Sequence, residues 1–300
     1  MIYLCTTFRE FNGSRNDEIQ RLFLKSIKEQ SNQNYKLIVT TFGEKTVSSV
    51  IESEFPNKSK VIDVHLENYR YSLTDVLINC IEEALLGNNI LILWCTCDII
   101  LQNNFFDVLE KINTFDLAGI CHPHFISNTP QDYENNIITI NPLRRGIDIM
   151  FFNSEIFRND KYFSYIKNYR NYDWGAYENF LAGVAKLSTK NRKNIFLLSR
   201  IYKIENDRVV NNETQTFLNE SQSRNIQTLK SFIKNEKCTK KIMDMLYCHY
   251  LYKIIPGESM VELKQFRKLR FLTYLRIIKN TIRSFIPRKT RKRLKGLIHA

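Results

Sequence analysis

The run "LILWCTCDIILQNNF" (residues 91–105) carries a single aspartate, Asp98, between apolar flanks, with Cys95 and Cys97 just before it. Three kinds of chemistry suit these residue types: a thiolate pair on a metal, a carboxylate that holds a cation or a ligand, or none at all in a buried strand. Side chains alternate faces along a strand, so Cys95 and Cys97 share one face and Trp94, Thr96 and Asp98 share the other. A thiolate metal site takes about four ligands. None of the other five cysteines (Cys5, Cys80, Cys121, Cys238, Cys248) forms a second pair of matching spacing. The cysteines therefore read as reduced, buried thiols. Asp98, at the end of a buried strand, lies where open α/β sheets bind ligands; the alternative is that it caps the next turn. "CHPHF" puts His122 and His124 around a proline, a loop pair that lacks a third metal ligand. His249, in the apolar run "YCHYLYK", reads as a packed core histidine.

The elements that must position these residues follow from periodicity. "MIYLCTTF" reads as a first strand, and "DEIQRLFLKSIKEQ" sets Ile19, Leu22, Phe23 and Ile27 on one helical face after an acidic first turn. "YKLIVTTFG" is a second strand ending at Gly43, and "KVIDVHL" a third. "SLTDVLINCIEEALLGNN" repeats apolar residues at helical spacing, closes near Gly87 and leads into the strand bearing Asp98. Strand, helix, strand, strand, helix, strand describes an α/β protein with a mainly parallel sheet flanked by helices. Between residues 202 and 226 apolar periodicity fades, which predicts a long mobile segment near the site. A helical region follows it.

Three hundred residues, 43% of them hydrophobic, are ample for one large domain and an appendage. Of the 44 Lys and Arg residues, thirteen lie in residues 263–300, which hold no Asp or Glu; the remaining 31 balance the 31 acids. The basic character thus belongs to the tail. There Leu263, Phe266, Leu269, Leu272, Leu275, Ile278, Ile282 and Phe285 recur at three- and four-residue spacing until Pro287. A basic amphipathic helix of this kind suits an anionic membrane surface; the alternative is that it packs on the body as a final helix. No signal-peptide pattern or apolar run of about 18 residues occurs, so the expected location is the cytoplasm, peripheral on the inner face of the cell membrane.

The order of "SIKEQSNQNYKLIVTTFGEK", "LINCIEEALLGNNILILWCTCDIIL", "GIDIMFFNSEIF" and "DWGAYENFLAGVAK" resembles bacterial glycosyltransferases of the GT-A type, among those that build surface polysaccharides such as O-antigen, capsule and lipooligosaccharide. The resemblance covers roughly residues 1–234. It implies a Rossmann-like catalytic domain over 1–235, with 236–300 a helical C-terminal region ending in the basic tail. It also implies a nucleotide-sugar site at the ends of the first strands: Thr6, Thr7 and Arg9 on the nucleotide, Glu44 near the base, Asn79 on the second helix, and Asp98 in the position of the family's Asp-x-Asp motif. Such a motif holds a divalent cation, Mn2+ or Mg2+, against the pyrophosphate. Here Thr96 replaces the first aspartate, which leaves Asp98 as the one metal ligand and implies a weak site, with metal independence open.

Transfer with inversion requires a base for the acceptor hydroxyl. The resemblance places that role on Glu178 of "ENFL", with Asp173 second; Trp174 and Tyr177 would form a wall against a sugar ring. An acidic first turn of an ordinary helix is the alternative. Asp148 matches an aspartate that shapes the acceptor side or caps its strand, and Arg144 and Arg145 suit phosphate. The expectation is a hexosyltransferase-class enzyme moving a sugar from a nucleotide-sugar donor to a lipid-linked or oligosaccharide acceptor. The competing expectation is a non-enzymatic protein whose tail grips membrane or nucleic-acid phosphates; against the nucleic-acid form, an apolar stripe has no use on phosphate.

Overall fold

The computed structural model describes residues 1–64, 72–121, 125–140, 148–158, 161–169, 193–197, 201–205, 212–235 and 253–255, with Phe271 and Leu275 besides. The strands in chain order are β1 (Ile2–Thr6), β2 (Tyr35–Thr41), β3 (Ser59–Asp63), β4 (Leu91–Cys95), β5 (Ile99–Ile100), β6 (Leu117–Cys121), β7 (Phe125–Ser127), β8 (Thr139–Ile140), β9 (Ile149–Asn153), β10 (Lys193–Leu197), β11 (Tyr202–Ile204) and β12 (Lys253–Ile255). The helices are α1 (Arg15–Lys28), α2 (Lys45–Glu54), α3 (Leu73–Ala84), α4 (Phe105–Ile112), α5 (Pro130–Glu134), α6 (Lys161–Asn168) and α7 (Asn212–Asn235).

The main sheet has eight strands in the order β12-β10-β6-β9-β4-β1-β2-β3. All neighbours run parallel except β9, which lies antiparallel between β4 and β6. The α/β, mainly parallel class expected from periodicity is the class observed. A smaller sheet, β5-β11-β7-β8, stands beside it.

Both faces of the main sheet are covered, which is why its central strands read as unbroken apolar runs. From β4, Leu91, Leu93 and Cys95 enter a core with Phe23, Leu24 and Ile27 of α1, Val47 and Ile51 of α2, and Phe105, Phe106 and Leu109 of α4. Ile92 and Trp94 enter the opposite core, with Val76, Leu77, Cys80, Ile81 and Ala84 of α3 and Ile166 of α6. Gly119 of β6 is required by close approach: a Cβ there would collide with the ring of Phe151 on β9.

Four expectations are corrected. The strand expected to run to Asp98 ends at Cys95; a corner at 96–98 follows, and Ile99 and Ile100 leave β4 and pair with β11 in the smaller sheet. Helix α2 lies between the second and third strands, where none was expected. The polar stretch 202–226 is no featureless lid: it contains β11 and the first part of α7. The region beyond 235 is not wholly helical, since β12 joins the main sheet beside β10. In the basic tail, Phe271 and Leu275 are helical and exposed. No helix among the described residues is long and apolar enough to cross a membrane.

Candidate functional site

Strand β1 sits inside the sheet with β2 on one side and β4 on the other. The chain first winds outward through β2 and β3, then returns to the far side of β1, so the order reverses between β1 and β4. Such a reversal leaves a crevice at the carboxyl ends of the two strands, the usual ligand site of open α/β sheets. Two segments flank it: residues 6–10 after β1, and residues 96–98 after β4.

Thr6 is buried and its hydroxyl donates to the Thr7 carbonyl at 3.4 Å. The Thr7 hydroxyl is itself buried and makes no hydrogen bond among the described residues; a buried hydroxyl left unpaired costs about 1–3 kcal/mol. Arg9 is exposed, but its backbone is fixed: its N–H donates to Gln20 Oε1 at 2.7 Å, and Gln20 Nε2 donates to its carbonyl at 3.2 Å. Gln20, buried on α1, also accepts from Cys97 Sγ at 3.7 Å, tying both flanking segments to one helix. Glu10 accepts from the backbone N–H groups of Lys45, at 2.6 Å, and Thr46, at 2.9 Å, and from the Thr46 hydroxyl. These bonds, the one from the Thr46 side chain foremost, hold the Glu10 carboxyl below the ordinary range. An open cleft of about 440 Å³ results, lined by Arg9, Glu10, Asn12, Phe42, Gly43 and Glu44 among others. Gly43 turns the chain there with φ +101°, a conformation only glycine adopts without strain.

At the other flank Asp98 is buried, and so are Asp148, which immediately precedes β9, and Lys203 in the middle of β11. The Lys203 ammonium lies 3.0 Å from Asp98 Oδ2 and 2.5 Å from Asp148 Oδ1. Thr96 Oγ1 donates to the other Asp98 oxygen, Oδ1, at 2.5 Å. Backbone pairing sets the register: Ile204 N–H donates to the Asp98 carbonyl at 3.1 Å, and Thr96 N–H to the Asp148 carbonyl at 3.2 Å. The two carboxylates and one ammonium carry a net charge of −1. Burying an ammonium costs several kcal/mol unless it is paired and hydrogen-bonded, and here both carboxylates meet it.

The neighbouring thiols are chemically quiet. Burial, then the Asp98 charge, pushes Cys97 up to about 12, against partial relief from Arg9 and Lys203. Cys95 is raised well above its ordinary value, first by burial and then by Cys97, Asp98 and Asp148. Both thiols are thus held in the neutral form; Cys95 is buried, as the core reading of the pair expects, whereas Cys97 is half-buried at the edge of that core. Nor does the Asp98 environment fit the divalent cation expected there. Its oxygens face Thr96 and Lys203, and among the described residues no three His, Cys, Asp or Glu side chains gather as a cation site.

The expected site residues are distributed as follows. The segment carrying Thr6, Thr7 and Arg9 and the segment carrying Thr96 and Asp98 are linked by Gln20, which bonds the Arg9 backbone and the Cys97 thiol. Glu44 lies on the cleft and accepts from the Phe42 N–H at 2.6 Å, closing the Gly43 turn. Asn79 donates to Thr40 Oγ1 at 3.2 Å and so anchors α3 against β2. Asp148, expected to shape the acceptor side or cap its strand, stands immediately before β9 and shares the Lys203 ammonium. Glu178, Asp173, Trp174, Tyr177, Arg144, Arg145, His122, His124 and His249 lie outside the described residues. Gln20 and Lys203 escaped the sequence reading. Gln20 had a faint signal, a polar residue next to Ile19 on the buried side of an amphipathic helix; a single lysine in "IYKIEN" had none.

No protein-family model and no curated protein matches this chain. It is similar in fold outline to several solved structures. One is a protein from Desulfovibrio desulfuricans G20 assigned as a nucleotide-diphospho-sugar transferase, 12% identical, covering 76% of this chain and 97% of that one, with a TM-score of 0.42. Another is TarS 1-349 of S. aureus in complex with UDP, 8% identical over 88% of this chain and 69% of that one, TM-score 0.43. A third is a 4-diphosphocytidyl-2C-methyl-D-erythritol synthase, 11% identical over 72% and 95%, TM-score 0.39.

Proposed function

We propose that this chain is a glycosyltransferase that moves a sugar from a nucleotide-sugar donor to a saccharide acceptor, lipid-linked at the cytoplasmic face of a bacterial membrane, in surface polysaccharide synthesis. The observation that carries the reading is the convergence of residues 6–10 and 96–98 on the crevice between β1 and β4, beside the cleft of Arg9 and Glu44. A nucleotide diphosphate fits the chemistry found there. Its pyrophosphate suits the Arg9 fork, whose backbone is held by Gln20, and its ribose or phosphate oxygens can pair the Thr7 hydroxyl. The sequence resemblance to GT-A enzymes points to the same residues independently.

The test is a thermal-shift series with nucleotides, nucleotide sugars and a single-stranded oligonucleotide, since a ligand that binds the folded state raises Tm. A nucleotide sugar is expected to stabilise the protein and the oligonucleotide not to. Arg9→Ala should weaken nucleotide-sugar binding by about tenfold or more, because a charge-assisted hydrogen bond is worth about 1.5–3 kcal/mol. Stabilisation by the oligonucleotide alone would overturn the reading in favour of a nucleic-acid binder.

The membrane part of the proposal rests on the thirteen positive charges of residues 263–300. At roughly 1 kcal/mol for each one near an anionic surface, a third of them suffices for firm binding. Truncation after Glu262 is expected to leave nucleotide-sugar binding intact and to abolish co-sedimentation with anionic liposomes. Unchanged sedimentation would refute the anchor, and aggregation of the truncated protein would show instead that the tail packs on the body.

A further inference from the structure

We propose that Lys203 is the resident cation of the Asp98 site, and that it closes that site to divalent metal ions. The Lys203 ammonium stands where oxygens of Asp98 and Asp148 converge, within 3.0 and 2.5 Å of them. That convergence is where a metal held by Asp98 and Asp148 would have to sit. A divalent ion and the ammonium therefore compete for the same oxygens.

The competition is unequal. Lys203 is tethered to its place by the backbone, since β11 is paired on both edges: Lys203 lies opposite Ile99 of β5 and Ile126 of β7. Its effective concentration at the two carboxylates is accordingly high. A metal ion that displaced it would leave a buried ammonium between Tyr202 and Ile204, without the carboxylates that compensate its burial. Asp98 Oδ1, another oxygen of the pair, already accepts the Thr96 hydroxyl. Thr96 is the residue by which this chain departs from a paired-aspartate motif, so the missing carboxylate and the added lysine point the same way.

For catalysis the consequence, which rests on the proposed function, is that the donor is held without a divalent ion. The Lys203 ammonium is already engaged by Asp98 and Asp148. Compensation of the pyrophosphate then falls to cations on the opposite flank, Arg9 first among them.

The test begins on the full-length protein without any donor. Mn2+ uptake, followed through the loss of the free-ion EPR signal, should be the same for the wild type and for Asp98→Asn. Uptake by the wild type that Asp98→Asn removes would overturn the proposal. Lys203→Met should gain a Mn2+ site at least tenfold tighter than anything in the wild type, and that gain should vanish in the Lys203→Met/Asp98→Asn double variant. A folded Lys203→Met protein with no gain would also overturn it. If Lys203→Met does not fold, the comparison of wild type with Asp98→Asn still decides. In the donor arm, the Tm shift produced by nucleotide sugars on the wild type should be equal in EDTA and in Mn2+; a shift that needs Mn2+ and Asp98 together counts against the proposal. If no nucleotide sugar shifts Tm under any condition, the glycosyltransferase reading fails while the Mn2+ arms still decide whether Lys203 closes the site.

Discussion

Lys203→Met is expected to lower folding stability by about 3–5 kcal/mol at neutral pH, a loss at the upper end of what single substitutions produce. Met matches the length of the lysine stem, so little packing is lost. What changes is that Asp98 and Asp148, both buried, face each other across the place of the missing ammonium. The ammonium also joins four strands of two sheets: Asp98 leads from β4 to β5, Asp148 leads into β9, and Lys203 belongs to β11. One outcome distinguishes this account from a generic packing defect. Adding Asp148→Asn to Lys203→Met should recover part of the loss, since one of the two opposed charges is gone. Urea unfolding at pH 7.5 measures it. A deficit below about 1 kcal/mol would mean that the lysine contributes little net stability, as replacement of some buried ion pairs by apolar residues does.

The half of the fold that periodicity revealed is the half that local chemistry dictates. Helices α1 and α3 place apolar residues on one stripe, and β4 is buried on both faces, so each announces itself within its own span. Helix α2 does not: in "KTVSSVIESE" the buried residues are Val47 and Ile51, one turn apart among serines. In helix α7 the buried residue among the described side chains is Asn225, a polar residue that hydropathy does not flag. The corner at residues 96–98 was hidden because hydropathy is the same on both sides of it: Ile99 stays in the core that β4 enters, and Ile100 joins a smaller one with Ile19 and Ile204. The site divides along the same line. Thr6 ends β1, and Arg9 and Asp98 follow β1 and β4 closely, so position along one element already places them at the carboxyl ends of the strands. Lys203 is different in kind. One of its carboxylate partners is 55 residues away and on another sheet, and the strand that carries it is three residues long. Its role arises only when β11 pairs with β5 and delivers the ammonium to the corner that β4 and β9 share.

That division bears on how the chemistry is shared out. If Lys203 takes the cation's place, the protein's charge balance at the donor is set by the fold, whereas the acceptor side must still supply a group that changes protonation during transfer. A carboxylate within hydrogen-bond reach of the acceptor hydroxyl suffices, and the sequence resemblance places Glu178 in that role. Glu178→Gln keeps the shape and the hydrogen-bonding capacity of the side chain and removes its capacity to take a proton. Nucleotide-sugar binding is therefore expected to persist while turnover falls by at least about a hundredfold, the range general-base catalysis contributes. The split is the informative part: a merely structural carboxylate would lower Tm or donor affinity along with turnover. Near-normal turnover in Glu178→Gln with a hundredfold loss in Asp173→Asn would move the base to Asp173. Product with retained anomeric configuration, read by NMR, would remove the need for such a base, and with it the role assigned to either carboxylate.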